Sequence, residues 1–474
     1  MVPSIKAIIR SVLPNVRFGS GLPLAVKAVY EGGIRIKVSL PGVEPWAFLD
    51  QEILDPRYGE ADRKRRLRER VRLGVLRVLE EAYSLAPRPW GLLMGVRPTK
   101  MVHSMLDRGF SQSELRKVLA NVYAAAPEKI ELLLTVAAQQ RSFFHPNPNQ
   151  PVSVYVGIPF CPTRCSYCSF ASYPLASHGH LFDGFFEVLC QEIKAVGGLL
   201  KELKIDVEAI YLGGGTPTTV QGKKLVKLLS LVRQYLTTPA TKEMTVEAGR
   251  PDTLSGATLS ILQEFGTDRI SINPQTMQER TLQVIGRGHG IEEIKRAYRL
   301  ARTIGIPLIN TDIILGLPGE SVSDVEDTLR QIEALRPDSL TVHGLAVKRA
   351  SRLKKEEAEV QIAQETGAEM AFLAAEYAAK WGMDPYYLYR QRHTLADLEN
   401  VGYSLPGSQS IYNVQMMEER QTIIALGGGG ITKLVSPDLS LVRHINPKCP
   451  ATYSQRIRAG LGAKIGQIRD HFLV

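Results

Sequence analysis

The chain of 474 residues lacks an apolar run long enough to cross a bilayer, and its first residues lack the pattern of a secretory signal peptide. It also has few cysteines, five in all, and three of them are crowded into one short stretch. Clustered thiols are more typical of a reducing compartment than of a disulfide framework. These absences predict a cytoplasmic protein that is neither exported nor held in a membrane.

The overall composition is that of a globular protein, with 44% hydrophobic and 22% charged residues. The length predicts about two or three domains and a large apolar core. The charge is not balanced, because lysine and arginine exceed the acidic residues and leave a net charge of +10. A polyanionic partner is therefore expected, either nucleic acid or a small polycarboxylate, and the charge alone does not choose between them.

The crowded cysteines are Cys161, Cys165 and Cys168, which follow a strand-like run at residues 152–156. Structural zinc sites usually combine two pairs of ligands and close with four, whereas this hook has three thiols and no local fourth ligand. His145 is the nearest histidine upstream. Three thiolates suit an iron-sulfur cube with one iron left open, so the spacing favours a [4Fe-4S] cluster over zinc.

Strand-like and helix-like segments alternate from residue 152 to about residue 350, and repeated βα units imply parallel strands with a site at their carboxyl ends. The sequence predicts an α/β fold with a partial (β/α)6 TIM-like barrel at residues 151–350. It also predicts an N-terminal α+β domain at residues 1–150 and a C-terminal, substrate-side extension at residues 351–474. The candidate strands of the barrel are residues 152–156, 209–212, 244–247, 269–272, 309–315 and 339–343.

The sequence also makes a prediction for each of four segments outside the barrel. Residues 24–30 and 34–38 flank a glycine turn and predict a β-hairpin. Residues 63–70 form a basic run that opens a helical pattern, which fits a solvated helix face better than an RNA contact because no aromatic residues are interleaved with it. Residues 145–151 are rich in proline and asparagine and predict a linker, and the glycine run at 427–430 predicts a plain turn.

Residues with suitable chemistry follow the predicted strands at the edge where a barrel site would lie. A glycine-rich loop at residues 213–217 follows the second strand, and Glu247 ends the third. Gln275, Arg287 and Asp312 come later, and their amide, guanidinium and carboxylate groups suit a ligand with charged ends and ribose hydroxyls. Taken singly, each of these residues also fits a surface or capping role.

The motifs together resemble those of the oxygen-independent coproporphyrinogen III dehydrogenases and their relatives in the radical S-adenosylmethionine (SAM) family. The matching stretches are residues 155–161, 213–217, 269–275 and 312–318. Further stretches resemble the HemZ-type branch of that family, and these are residues 95–100, 386–391 and 399–403.

The resemblance implies that Cys161, Cys165 and Cys168 bind a [4Fe-4S] cluster whose electron cleaves SAM to a 5'-deoxyadenosyl radical. The implied reaction is oxidative decarboxylation of coproporphyrinogen III propionates to vinyl groups, giving protoporphyrinogen IX in haem biosynthesis, with an electron donor such as flavodoxin or ferredoxin. Ala346 lies close to a position that meets a second SAM in the dehydrogenases. The residues implied to bind SAM are Tyr155, Tyr167, Gly214, Gly215, Thr216, Glu247, Gln275, Arg287 and Asp312.

The sequence departs from the dehydrogenase pattern at two positions. Phe170 stands where the dehydrogenases have a further cysteine, and Gly157 stands where they usually have histidine. Neither change removes a cluster ligand, but the substrate stays open. The alternatives are a haem-binding chaperone of the same family, whose members also lack the extra cysteine, and a radical SAM enzyme acting on RNA. Candidate substrate contacts near the C-terminus are Tyr386, Tyr387, Tyr389, Arg390 and Arg392.

Overall fold

The computed structural model describes residues 5–6, 8–10, 23–30, 32–95, 97–346, 364–391 and 394–473. The chain divides into two compact units, Met1–Ala138 and Gln139–Val474. The division falls shortly before the predicted linker at residues 145–151. Within the described ranges, every helix is too short or too polar to span a bilayer.

The N-terminal unit contains a three-stranded antiparallel sheet, formed by β1 (Ala25–Tyr30), β2 (Ile34–Ser39) and β3 (Trp46–Asp50) in that order. Strands β1 and β2 form the hairpin that the sequence predicts, with Tyr30 opposite Ile34 next to the turn. Strand β2 is the central strand, and alternate side chains along it are buried. This period of two is what an apolar face packed against a helix requires.

The helices of this unit are α1 (Glu60–Ala82), α2 (Thr99–Leu106), α3 (Gln112–Asn121) and α4 (Pro127–Gln140), with a short 3-10 helix at Glu52–Leu54. Within the basic run on α1, Arg66 and Arg70 are buried and both bind the carboxylate of Asp50, at 2.6 Å and 2.7 Å. Burial alone would raise the pKa of Asp50, but the hydrogen bonds from the two arginines hold it below its usual value. Arg66 also binds Glu52 at 2.9 Å. Both guanidinium groups thus point to acidic side chains inside the unit rather than to solvent, which weakens the RNA interpretation of the run.

The second unit contains an eleven-stranded sheet, whose strands lie side by side in the order β12 (Asp384–Arg390), β13 (Glu399–Ser404), β11 (Ser339–Gly344), β10 (Leu308–Leu315), β9 (Arg269–Ser271), β8 (Glu243–Glu247), β7 (Val207–Gly214), β4 (Val152–Ile158), β14 (Ile423–Gly427), β15 (Ile431–Val435) and β16 (Leu441–Ile445). A separate two-stranded ribbon joins β5 (Phe160–Cys161) to β6 (Tyr173–Pro174).

Helices connect most of these strands, as the alternating pattern predicts. The α-helices are α5 (Leu175–His178), α6 (Phe182–Glu202), α7 (Gly222–Tyr235), α8 (Gly256–Glu264), α9 (Glu279–Val284), α10 (Ile291–Ile304), α11 (Val322–Leu335), α12 (Gln364–Lys380), α13 (Ile411–Glu418) and α14 (Pro450–Leu473). Short 3-10 helices lie at Arg141–Phe143, Gly179–Leu181, Pro217–Thr219, Pro251–Thr253 and Leu395–Asp397.

Strands β4, β7, β8, β9, β10 and β11 are mutually parallel neighbours, which confirms the six predicted strands and the α/β barrel-like fold. Residues beyond 350 extend the same sheet at both ends. Strands β13 and β12 add antiparallel beside β11, and β14 adds parallel beside β4. The predicted boundary at 350/351 therefore does not coincide with a division between compact units, because hydrogen bonding between strands is continuous across it.

The glycine run at residues 427–430 forms the turn between β14 and β15, as predicted. Gly427 has a φ of +79°, in the left-handed region that favours glycine. Gly157 lies against this turn, since a β-carbon added there would lie 2.6 Å from the carbonyl oxygen of Gly428. The departure from the family pattern at position 157 thus accompanies a close approach between β4 and the end of β14.

Candidate functional site

Cys161 ends β5, and Cys165 and Cys168 lie on the loop between β5 and β6. All three line one cavity of about 380 Å³. The loop is held by a hydrogen bond from the amide of Ser166 to the carbonyl of Ile285, at 3.0 Å. Cys161 and Cys165 are buried, and Cys168 is partly exposed. Burial raises the pKa of the Cys161 thiol to about 11. All three are free thiols that face the same enclosed space.

The same cavity collects every residue that the sequence analysis assigns to the cluster or to SAM, from Tyr155 on β4 to Asp312 on β10. They meet because parallel strands present their carboxyl ends at one edge of the sheet. Among the described residues, no group of three His, Cys, Asp or Glu side chains has the geometry for a single metal ion.

The glycine loop after β7 packs directly beneath the first cysteine. The amides of Gly215 and Thr216 donate to the carbonyls of Ile158 and Phe160, at 2.8 Å and 2.7 Å. A β-carbon at Gly215 would lie 2.5 Å from the Phe160 carbonyl oxygen, so a side chain does not fit there. The Thr216 hydroxyl lies 3.4 Å from Cys161 Sγ and can donate to it. The loop therefore positions both the backbone and the thiol of β5.

Glu247 ends β8 and presents its carboxylate to the cavity. The Tyr211 hydroxyl donates to Oε1 at 2.7 Å, and the Gly214 amide donates to Oε2 at 3.0 Å. Burial raises the pKa of Glu247 to about 7, and the negative charge of Asp312 adds to the rise, although the two donors oppose it. The group is therefore poised to change its charge near neutral pH.

Gln275 and Asp312 approach each other through the backbone, where the Gln275 amide donates to the Asp312 carbonyl at 3.0 Å. Gln275 has a φ of +70°, a conformation that a non-glycine residue adopts only under local constraint. Its side-chain Oε1 is buried without a hydrogen-bond partner. The Asp312 carboxylate accepts from Asn310 Nδ2 at 2.7 Å and lies 3.6 Å from His343 Nε2.

Arg287 reaches the cavity from the segment after α9. Its Nη2 donates to the Tyr167 hydroxyl and its Nη1 donates to the Gly249 carbonyl, both at 2.9 Å. Its Nε is buried with no hydrogen-bond partner. Burial opposes the charge of Arg287, but Tyr167 and Cys165 hold its pKa above the usual value. The guanidinium stays charged and keeps one donor available.

Strands β11 and β12 form a tyrosine-rich wall of the cavity. The rings of Tyr387 and Tyr389 are stacked with their centroids 6.4 Å apart. The Tyr389 hydroxyl lies 3.1 Å from His343 Nδ1. Ala346 also lines the cavity.

The other proposed substrate contacts are placed differently. Tyr386 and Arg390 are buried and do not line the cavity, and Arg390 instead binds Asp397 at 2.5 Å. Arg392 lies outside the described residues.

The cavity is also lined by Tyr211, Arg250 and His343, to which none of the sequence motifs points. Tyr211 lies on a strand, two residues before the glycine loop, and Arg250 comes three residues after Glu247. His343 was counted only as the end of a strand. Closeness to the carboxyl end of a parallel strand is the signal that could have identified all three.

Comparison with known proteins places this site in a family. Residues 155–332 match the Radical SAM superfamily. The oxygen-independent coproporphyrinogen-III oxidase-like protein HemZ of Bacillus subtilis (strain 168) is 40% identical over 399 residues, which are 83% of this chain and 80% of that protein. The chain belongs to the radical SAM superfamily, in its HemZ branch.

Two other known proteins are similar to a smaller part of this radical SAM chain. Heme chaperone HemW of Bacillus subtilis (strain 168) is 34% identical over 196 residues, which are 41% of this chain and 50% of the chaperone. The solved structure of coproporphyrinogen III oxidase (HemN) from Escherichia coli superposes with a TM-score of 0.54 at 21% identity, covering 68% of this chain and 72% of that one. At that identity the likeness shows the fold alone.

Radical SAM proteins use a [4Fe-4S] cluster and SAM, and the cavity of this radical SAM chain fits both. Three free thiols face it, and its glycine loop leaves no space for a β-carbon. Four buried polar atoms of its lining residues have no hydrogen-bond partner, namely Ser271 Oγ, Asn273 Oδ1, Gln275 Oε1 and Arg287 Nε. Buried polar atoms without a partner are costly, which is expected where a ligand completes them.

Proposed function

We propose that this chain is a radical SAM oxidoreductase that converts propionate side chains of coproporphyrinogen III to vinyl groups, giving protoporphyrinogen IX. One observation carries the proposal. A single cavity brings together the cysteine hook, the groups suited to SAM and a tyrosine-rich wall, in a chain 40% identical to a coproporphyrinogen-III oxidase-like protein. The net charge of +10 also suits a tetracarboxylate substrate.

Cys161, Cys165 and Cys168 would hold the [4Fe-4S] cluster, and three thiolates leave one iron open for SAM. Glu247 would accept hydrogen bonds from the ammonium group of SAM, and Asp312 would bind its ribose hydroxyls. The remaining groups proposed for SAM are Tyr155, Tyr167, Gly214, Gly215, Thr216, Gln275 and Arg287, all of which line the cavity.

When bound, the cluster and SAM would together supply the radical chemistry that takes a hydrogen atom from the β-carbon of a propionate. The propionate would then break its bond to the carboxylate carbon, release carbon dioxide and pass one electron to a one-electron acceptor. A carbon-carbon double bond remains as the vinyl group. The electron that starts the cycle would come from a donor such as flavodoxin or ferredoxin.

The tyrosine-rich wall is the part of the cavity proposed to orient the substrate. Tyr389 and His343 are hydrogen-bonded to each other, and His343 in turn faces Asp312. These three side chains thus connect the part of the cavity proposed for the substrate with the part proposed for the ribose of SAM. A hydroxyl and an imidazole at this position can donate hydrogen bonds to a propionate carboxylate.

A haem-binding chaperone is the second candidate, and one position favours it. Phe170 lines the cavity with 71% of its surface exposed, where the dehydrogenases have a further cysteine. An exposed phenylalanine ring offers apolar contact to a flat macrocycle rather than a redox-active thiol. The similarity to heme chaperone HemW points the same way.

The deciding experiment is an anaerobic assay of the reconstituted protein with SAM, dithionite and coproporphyrinogen III. We expect 5'-deoxyadenosine and decarboxylated porphyrin to appear together and to vanish in Cys165→Ala. Haem titration of the same preparation, followed by its absorption band, is run in parallel. SAM cleavage with an untouched porphyrinogen would overturn the decarboxylase, and a saturable haem band under those conditions would support the chaperone.

A further inference from the structure

Arg250 is a buried cation beside the proposed cluster. It follows β8 and directly precedes the 3-10 helix Pro251–Thr253, and only 4% of its surface is exposed. Its Nη1 lies 3.8 Å from Cys165 Sγ and donates to the Thr163 hydroxyl at 3.1 Å. The guanidinium is therefore in reach of a thiolate and of the loop that carries it.

The position of Arg250 is held by a carboxylate on the far side of the guanidinium. Nε and Nη2 donate to the two oxygens of Asp252, at 3.0 Å and 2.9 Å. Such a two-point contact fixes the plane of an arginine as well as its location. His289 Nδ1 lies 3.6 Å from the same carboxylate. Arg250 and Asp252 thus form an oriented ion pair with its positive end towards Cys165.

Two explanations for this arrangement make different predictions. Arg250 could only fasten Thr163 to Asp252, in which case any change would loosen the loop whatever its charge. Alternatively, the charge itself acts on the cluster. Reduction adds one electron to the cluster from a one-electron donor and breaks no bond, so the negative charge grows by one. A fixed cation nearby stabilises the reduced form more than the oxidised form.

We propose that Arg250 raises the reduction potential of the [4Fe-4S] cluster and that Asp252 sets the size of this effect. The proposal rests on the cluster ligands of the proposed function, but not on its substrate. It goes beyond holding the loop, because the two members of the ion pair must act with opposite sign.

The test is a dithionite titration of the reconstituted protein without SAM, followed by the electron paramagnetic resonance signal of the reduced cluster. For R250Q we expect the equilibrium constant for reduction to fall about tenfold, which for one electron is a shift of about 59 mV to more negative potential. For D252N we expect a shift in the opposite direction. R250K keeps the charge but loses the two-point contact with Asp252, so we expect its equilibrium constant for reduction to fall by less than about tenfold.

Iron content and the visible spectrum of each variant are measured alongside the titration. The proposal is overturned if R250Q holds its iron and keeps the wild-type potential, or if R250Q and D252N shift in the same direction. If R250Q loses its iron, the other two variants decide. The proposal then requires that D252N shifts the potential to a less negative value and that R250K lowers the equilibrium constant by less than about tenfold. Failure of the wild type to take up a cluster overturns the ligand assignment as well, whereas a loaded protein inactive on porphyrinogen overturns only the substrate.

Discussion

At the scale of single residues, Glu247 shows how burial changes the charge of a group. An ordinary glutamate is ionised at neutral pH, but this one has a pKa raised from 4.5 to about 7. Because the folded state favours the protonated form, the contribution of Glu247 to stability falls as the pH rises from about 4.5 towards 7. A bound ammonium group would reverse this preference, since it stabilises the ionised carboxylate.

The raised pKa predicts that SAM binds more weakly to the reconstituted protein in acid. A carboxylate with a pKa near 7 is about one-tenth ionised at pH 6 and about nine-tenths ionised at pH 8. We expect the affinity for SAM to fall about tenfold between pH 8 and pH 6, measured by isothermal titration calorimetry.

Glu247→Gln is the matched control for that measurement, because it keeps the shape of the side chain and removes the titration. Its affinity should be lower than that of the wild type at pH 8. The pH dependence that remains in the variant belongs to SAM and to other groups. Equal pH profiles in the two proteins would contradict a role for the Glu247 charge in binding.

At the scale of elements, β4 and β14 come so close that position 157 has no space for a side chain. A β-carbon on Gly157 would lie 2.6 Å from the Gly428 carbonyl oxygen and 3.1 Å from the Tyr155 ring. The backbone oxygen belongs to a tight turn that cannot move without disturbing β14. The pairing of these two strands therefore depends on a glycine, and Tyr155 in the cavity wall depends on the same packing.

We predict that Gly157→Ala lowers the free energy of unfolding by about 1–3 kcal/mol, the usual cost of a contact that is too close. Thermal unfolding of the protein, followed by circular dichroism, measures the change. Gly198→Ala on α6 is the control, because nothing lies within 4 Å of its added β-carbon. The control should be neutral or stabilising by up to about 1 kcal/mol, since alanine favours helix. Equal effects of the two substitutions would count against the packing explanation.

At the scale of the whole second unit, Glu192 joins segments that are far apart in the sequence. It lies on α6 with its side chain fully buried. It accepts hydrogen bonds from the Gly427 amide, the Tyr453 hydroxyl and the Lys464 ammonium group, at 2.7 Å, 2.6 Å and 2.8 Å. One carboxylate thus binds the end of β14 and two turns of α14 to the first helix of the barrel.

We predict that Glu192→Gln destabilises the protein by about 3–5 kcal/mol, because it leaves the largely buried Lys464 charge with only neutral oxygens, such as the Ala425 carbonyl, as partners. The measurement is the shift of the unfolding transition in urea. Glu202→Gln removes an exposed pair with Arg469 between the same two helices and should cost less than about 1 kcal/mol. A small effect of Glu192→Gln, comparable to that control, would show that α14 is not held by this carboxylate.

Much of the fold and of the candidate site was predictable because the signals are local. The six barrel strands are short segments that alternate with helical patterns, and the residues that follow each strand must lie at one edge of a parallel sheet. The hook of Cys161, Cys165 and Cys168 is likewise a matter of spacing along a single loop. Strand β14 was missed because its neighbour in the sheet, β4, lies far away in the sequence, and no local pattern shows that pairing.

The sequence by itself determined the six parallel strands, the cysteine hook and the family of the chain, because these depend on the order of residues over short distances. Only the tertiary structure decided which groups meet although they are far apart in the sequence. It brought the Tyr211 hydroxyl to the Glu247 carboxylate, the Arg250 guanidinium to the Cys165 thiol and the Glu192 carboxylate to the Gly427 amide. Charge, burial and hydrogen bonding act between atoms close in space, so the chemistry of these groups is settled by folding.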